Sequence, residues 1–242
     1  FKTKETLSEA CAHFGLKAVF FDGRGGPPAR GGGKTHRFYA AQSPSTAKHE
    51  IQLTIQGQTI SSKYGTSEHF KFHFEQLLTA GLSNNFNMRD NELTDEDRQL
   101  MDDLSRLSFE KYTALKNHAH FLPYLENKST LKYYGKANIG SRPAKRGSKD
   151  KLELTDLRAI SFVGSWSQLK QNVPGYYGIG HAIRTLVGEG KLEAMKRLFR
   201  EVSFFKALIM NSMMSLSKSN FALTSYIARD KTFGDFWKLL LE

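Results

Sequence analysis

Four arginines stand where arginine is not ordinary surface decoration: Arg24 and Arg30 in a glycine-rich run, Arg142 in a basic run and Arg158 in an apolar one. A guanidinium presents its donors as a planar fork, and grips phosphate or carboxylate through two parallel hydrogen bonds. Among small or apolar neighbours its charge needs a partner. An anionic ligand is one candidate partner, and internal ion pairs with Asp22, Glu153 or Asp156 are another. Residue types alone leave these two open. The densest of the segments is Phe20 to His36, where an apolar run opens into six glycines, two prolines and two arginines. Backbone of this kind can turn its N–H groups toward an anion. A plain surface loop is the alternative, and the position after an expected strand favours function.

Sharper nucleotide-binding motifs fail on the same glycine-rich run. Gly33-Lys34-Thr35 invites a nucleotide-binding loop of the form G-x-x-x-x-G-K-S/T, but its first glycine slot holds Pro28, which lacks an N–H and fixes φ. A dinucleotide fingerprint on Gly23 and Gly25 fails at the same proline, where a third glycine is required. Of eight histidines, His69 with His73 and His118 with His120 have metal-like spacing. No glutamate follows His69 as a zinc protease helix requires, so a solvated or core pair is the simpler reading. Asp95 to Asp97 read as the acidic first turn of a helix, and Asp102 and Asp103 as a solvated face, which leaves no carboxylate pair for a metal.

The elements that position these residues follow from periodicity. Glu5 to Gly15 reads as a helix with Leu7, Ala10, Cys11 and Phe14 on its apolar face and Gly15 as its stop. Leu16 to Phe21 reads as a short buried strand, Thr35 to Gln42 as a helix, and Ile51 to Ile60 as an alternating strand. Helices are expected over His69 to Leu82 and from a Thr94 cap onward, the latter with a core stripe of Leu100, Met101, Leu104, Leu107 and Tyr112. Asn84 to Asn91 should connect them. Leu131 to Lys151 reads as a mobile basic loop, and Leu157 to Trp166 as a buried strand or one feeding a helix. Four helices should follow, over Gly175–Gly188, Lys191–Arg200, Ser203–Arg229 and Thr232–Leu241. Phe204, Phe205, Leu208, Ile209, Met213, Met214 and Leu216 read as core filling.

At 242 residues, 39% hydrophobic and 24% charged, the chain is globular in composition and has no long apolar run. Its 35 basic and 24 acidic side chains give +11, which suits small anions and polyanions alike. The basic run from Arg142 to Lys151 lacks the aromatics that a nucleic-acid binder interleaves with its cations, and this tilts the reading toward small anions. The lone Cys11, read as core, excludes an internal disulfide and fits a reducing cytoplasm. There is no initiator methionine, and Phe1 to Lys4 resembles neither a signal nor a transit peptide, so the chain reads as part of something longer.

Several stretches together resemble the C-terminal catalytic region of phosphoenolpyruvate carboxylases. They are Asp22 to Gly26, Ala29 to Gly32, Ile55 to Gly57, Asn138 to Arg146 and Leu157 to Ile160, in the family's order and approximate spacing. The run Gly140-Ser141-Arg142-Pro143-Ala144-Lys145-Arg146 is the most specific of them. The resemblance implies a mainly α fold with a few β-strands, part of an α/β, TIM-like barrel surrounded by many helices. On that plan residues 1–65 would hold barrel strands and the glycine-rich loop, 66–156 helices and the basic loop, and 157–242 a barrel strand and the helical C-terminal region.

The implied chemistry is carboxylation of phosphoenolpyruvate by bicarbonate to oxaloacetate and phosphate, through carboxyphosphate and the enolate of pyruvate, with magnesium or manganese. By resemblance Arg24 and Arg158 would hold the substrate phosphate, with Gly25, Gly26 and Arg142 at the same site, while Arg30 and Lys218 would bind an inhibitory dicarboxylate, aspartate or malate. A cytoplasmic homotetramer is implied for the intact enzyme. The family's metal-binding carboxylates and a further catalytic histidine would lie before Phe1, so the chain is expected to be an inactive fragment by itself. One departure stands out: the family motif HGRGG begins with a proton-accepting histidine, where this chain has Asp22. A non-enzymatic anion- or nucleic-acid-binding module is the competing reading; its affinity would fall steeply with salt and ignore phosphoenolpyruvate.

Overall fold

A computed structural model of the chain describes residues 2–22, 35–42, 50, 52–53, 57–86, 93–134 and 153–242. Helix dominates. In chain order the elements are α1 (Lys2–His13), β1 (Phe21–Asp22), α2 (Thr35–Ala40), β2 (Gln52–Leu53), α3 (Gly57–Tyr64), α4 (Ser67–Phe86) and α5 (Asp95–Lys116). Then come α6 (Phe121–Lys128), α7 (Leu131–Tyr134), α8 (Ala159–Gln168), α9 (Ile179–Gly188), α10 (Leu192–Glu201), α11 (Ser203–Ser217) and α12 (Gly234–Leu239), with 3-10 turns at Leu154–Asp156, Val173–Gly175 and Phe221–Arg229. The chain divides into two compact units, Phe1–Gln99 with Leu192–Asn211, and Leu100–Lys191 with Ser212–Glu242.

In the first unit, α1 stops where Gly15 takes φ +67°, the left-handed turn that glycine accepts without strain. The apolar face expected of α1 is not a core face: Leu7 and Phe14 are exposed, Cys11 is half-buried, and Ser8 is the buried residue. A bidentate ion pair ties α1 down instead, from Arg98 Nη1 and Nη2 to the Glu5 carboxylate at 2.7 and 3.3 Å. α5 starts with a reciprocal cap. Asp97 N–H donates to Thr94 Oγ1 and Thr94 N–H donates to Asp97 Oδ2, each at 3.2 Å, as the expected Thr94 cap requires. The same buried Asp97 carboxylate accepts both Arg197 terminal nitrogens from α10. Burial alone would raise its pKa, but bonds from Arg197 and Thr94 hold it below the usual carboxylate value.

The strands are shorter than the sequence suggested. Among the described residues, Phe21 and Asp22 of the first pair with Gln52 and Leu53 of the second, in parallel. Leu16, Val19 and Phe21 are exposed, so the run lacks the buried face that was expected to hold it extended. Of Ile51 to Ile60, the portion from Gly57 onward is the start of α3. Ile60 is 48% exposed, so no buried side requires period-two backbone there. α4 continues through Asn84 to Phe86, into what was read as a connector. It leaves Phe70, Phe72, Phe74, Leu78 and Leu82 in solvent, with Phe70 and Phe74 stacked at 5.6 Å.

The second unit has a continuous apolar core. Trp166 and Tyr124 are fully buried and stack at 6.1 Å, and Phe121, Phe236 and Trp237 close around them. Leu100 and Leu104 of the stripe read on α5 are buried, and Leu115, outside that stripe, is buried as well. The segment Leu157–Trp166 is not a buried strand: Leu157 and Arg158 are extended and lead into α8, which holds Ala159 to Trp166. A short apolar run fits either element. What decides is that Phe162, Trp166 and Leu169 recur at helical spacing and all meet the core. The expected Ser203–Arg229 helix is also interrupted, because Asn220 caps a new 3-10 turn by accepting from Ala222 N–H at 3.2 Å. Of the residues read as its filling, Phe205 is buried whereas Met213 and Leu216 are exposed.

Asp230 starts the last turn. A hydrogen bond from Lys128, then bonds from the N–H groups of Phe233 and Thr232, hold its carboxyl down to about 2 from the ordinary 3.8. A depressed carboxyl stabilises the fold above its unfolded pKa and ceases to do so as pH falls through the folded one. The contribution should therefore be complete above about pH 4 and vanish toward about pH 2. In thermal scans across that window, Asp230→Asn should flatten the acid limb, and an unchanged limb would contradict the assignment.

Candidate anion-binding site at the head of helix α8

The structure describes three of the residues singled out for chemistry, at least in part. The backbone of Asp22 lies in β1, paired with Leu53. Lys218 follows the end of α11, is exposed, and has no ion pair among the described residues. Arg158 is the residue immediately before α8. Arg24, Gly25, Gly26, Arg30 and Arg142 lie outside the described residues.

Arg158 is built into place from both sides. Before it, the 3-10 turn Leu154–Asp156 is closed by Glu153 N–H donating to Asp156 Oδ2 at 3.0 Å and by Asp156 N–H donating back to Glu153 O at 3.0 Å. After it, its carbonyl accepts the Phe162 N–H at 2.9 Å and the Ser161 hydroxyl at 3.0 Å, so that the extended backbone at φ −91° and ψ 146° is fixed as the cap of α8. Ser165 repeats the pattern one turn on, donating to Ser161 O at 2.7 Å. Both serines are buried. Positions 158, 161 and 165 thus make a polar line leading into and along α8. The i, i+3, i+7 spacing carries that signal in the sequence, but it is legible only once the segment is known to be helical.

The guanidinium differs from the backbone in that its Nε is unsatisfied. Arg158 is half-buried, and its Nε is buried with no hydrogen-bond partner. Neither Asp156 nor Glu153 pairs with it among the described residues; Asp156 Oδ2 accepts the Glu153 N–H instead. The internal ion pairs of Arg158 with Asp156 and Glu153 do not form among the described residues, and its Nε–H is a dry donor without a partner on the residue that caps α8. An anion with two or more oxygens supplies such a partner.

The paired histidines have structural surroundings. His118 Nδ1 accepts the His120 N–H at 3.1 Å, and their rings lie against Phe236 and Phe233. His73 packs against Tyr64 at 5.8 Å, and burial followed by the Lys63 and His69 charges keeps its imidazole below the ordinary value. Among the described residues no three His, Cys, Asp or Glu side chains group as metal ligands.

A family model for phosphoenolpyruvate carboxylase matches residues 1–238. The chain belongs to the phosphoenolpyruvate carboxylase family. It is 35% identical over 230 residues to a phosphoenolpyruvate carboxylase of Corynebacterium glutamicum, a match covering 92% of this chain and 25% of that protein. The chain thus spans about a quarter of the length of this relative. The stretches around Asp22, Arg142 and Arg158 all fall within the part matched to the phosphoenolpyruvate carboxylase family. In the described residues this part is helical in class, and no helix among them is long and apolar enough to cross a membrane.

Proposed function

We propose that the chain is the C-terminal catalytic portion of an enzyme that carboxylates phosphoenolpyruvate with bicarbonate to give oxaloacetate and phosphate. The observation that carries this reading is the buried, unpartnered Nε of Arg158 at the cap of α8, in a chain of this family. Phosphoenolpyruvate is a small polyanion whose phosphoryl group moves to bicarbonate, leaving the enolate of pyruvate to attack carbon dioxide released from carboxyphosphate. A fixed guanidinium serves such a reaction by stabilising charge on the phosphoryl oxygens as it redistributes. Arg158 is assigned to the substrate phosphate together with Arg24, and Arg142, Gly25 and Gly26 to the same pocket.

In this reading Arg30 and Lys218 bind an inhibitory dicarboxylate, aspartate or malate. Magnesium or manganese is held by ligands from elsewhere in the protein, the strands β1 and β2 belong to a TIM-like barrel, and the intact enzyme is a cytoplasmic homotetramer. The active site of such a barrel lies at the C-terminal ends of its strands. That suits Asp22, the last residue of β1.

Asp22 takes the place of the family's proton-accepting histidine. A carboxylate can accept a proton, although its reference pKa of about 3.9 lies below the 6.5 of histidine, which makes it the weaker base unless its surroundings raise it. The reading is tested by phosphoenolpyruvate-dependent fixation of labelled bicarbonate by the full-length protein. Asp22→Asn, which keeps the shape and removes the base, should abolish oxaloacetate formation. Near-normal turnover would remove Asp22 from the mechanism, and absence of fixation by the unmodified full-length protein would overturn the function itself.

A further inference from the structure

The exit of α8 holds backbone strain that glycine would have relieved. Lys170 and Asn172 have φ of +55° and +43°, in the left-handed region where a β-carbon crowds the following carbonyl. Lys170 occupies the position past a helix end at which glycine is usual: its N–H donates to Ser167 O at 3.0 Å and that of Gln171 donates to Trp166 O at 3.2 Å. Strain of this kind persists only where the surroundings over-determine it, and it concentrates at functional sites.

Here the surroundings can be named. Gln171, between the two strained residues, is fully buried. Its Nε2 donates to Tyr124 Oη at 2.8 Å and to Thr224 Oγ1 at 3.0 Å. Its carbonyl accepts from Ser219 Oγ at 2.6 Å and from Tyr176 Oη at 2.9 Å. The Lys170 carbonyl accepts the Asn220 N–H at 2.6 Å, and Asn172 Nδ2 reaches Ser219 Oγ at 3.5 Å. Three of these bonds end on Ser219 and Asn220, the two residues that follow Lys218. The outcome is a lysine with a free head and a clamped base, since Lys218 is exposed and without an ion pair among the described residues.

We propose that the bend Lys170-Gln171-Asn172 is the mount that positions Lys218 for a dicarboxylate inhibitor, with Ser219 and Gln171 as positioning residues. This rests on the reading of Lys218 given above. A lysine stem has four flexible carbons, so the volume searched by its ammonium is set by how firmly its backbone is held. Loosening the mount spreads that volume and weakens inhibitor binding, while the substrate site, held by other groups, keeps its turnover. A purely structural role would instead shift the thermal midpoint and leave the inhibitor constant where it was.

The test uses the full-length protein, with L-aspartate as the inhibitor probe in bicarbonate-fixation assays and in direct calorimetric titration. Ser219→Ala removes the bond to the Gln171 carbonyl and should weaken aspartate about fivefold, with kcat and KM for phosphoenolpyruvate held within about twofold. Ser219→Thr, which keeps the hydroxyl, should restore aspartate affinity. If Ser219→Ala does not fold, Asn172→Gly relaxes the strain, removes the second contact to Ser219 and should weaken aspartate in the same direction. Lys218→Ala separates the two layers. Unchanged aspartate binding in that variant overturns the assignment of Lys218 itself. Weakened binding in Lys218→Ala but normal binding in the folded mount variant overturns the positioning role alone.

Discussion

Arg158→Lys in the full-length protein is expected to lower kcat/KM for phosphoenolpyruvate by about 10²–10³-fold, the magnitude seen when one preorganised donor to a developing anion is lost. Lysine keeps the positive charge but not the planar fork, so the loss measures two-point recognition rather than charge. The effect on stability should have the opposite sign. In the free protein the Nε–H of Arg158 is buried without a partner, and an unpaired buried donor costs about 1–3 kcal/mol. Arg158→Met, which keeps much of the stem and removes the donor, should therefore leave the thermal midpoint unchanged or raise it while abolishing turnover. Activity and stability moving in opposite directions mark a residue held for its ligand. A variant that loses both together would show that Arg158 serves packing, and near-normal kcat/KM in Arg158→Lys would remove it from the substrate phosphate.

The largest effect on folding is expected at Gly178, just before α9. Its φ is +95°, and a β-carbon there would stand 2.4 Å from the carbonyl oxygen of Ser108 in α5. That oxygen is backbone in the interior of a long helix and cannot swing aside as a side chain would. Gly178→Ala combines left-handed strain of about 1–2 kcal/mol with overpacking of about 1–3 kcal/mol, for a total near 3 kcal/mol. Gly188, the last residue of α9, is the control, because a β-carbon there would meet nothing within 4 Å. Gly188→Ala should be neutral or slightly stabilising through helix propensity. Thermal unfolding of the two variants side by side checks both, and similar midpoints would contradict the close approach of α9 to α5.

Where local chemistry decides, the sequence was legible. Thr94 with Asp97 three residues on announced the start of α5, and Gly15 announced the end of α1. Neither depends on distant residues. Arg158 was singled out because arginine is out of place among Leu157, Ala159 and Ile160, and its unpaired nitrogen agrees with that reading. The element carrying it was misread, since apolar density without a clean period cannot separate a buried strand from a buried helix. The Ser161 and Ser165 hydroxyls that bond back along α8 were invisible for the same reason. The Gln171 network was beyond reach altogether. It joins positions 124, 171 and 224, and nothing local to any of them signals the other two. In α1, spacing grouped Leu7, Ala10 and Cys11, but spacing cannot say whether a face has anything to pack against.

The aromatic face of α4 has a consequence for the chain in solution. Phe70 and Phe74 stack in the open, with Leu78 and Leu82 exposed further along the same i+4 row, on a polypeptide carrying +11. At low ionic strength that charge keeps copies apart over tens of ångströms, whereas at 0.1 M the screening length is about 10 Å and the repulsion is largely gone. Attraction between apolar faces is not weakened by the same ions. Added salt therefore lowers the colloidal stability of this chain, and the weak point is a row of phenylalanines on a helix rather than the edge of a sheet.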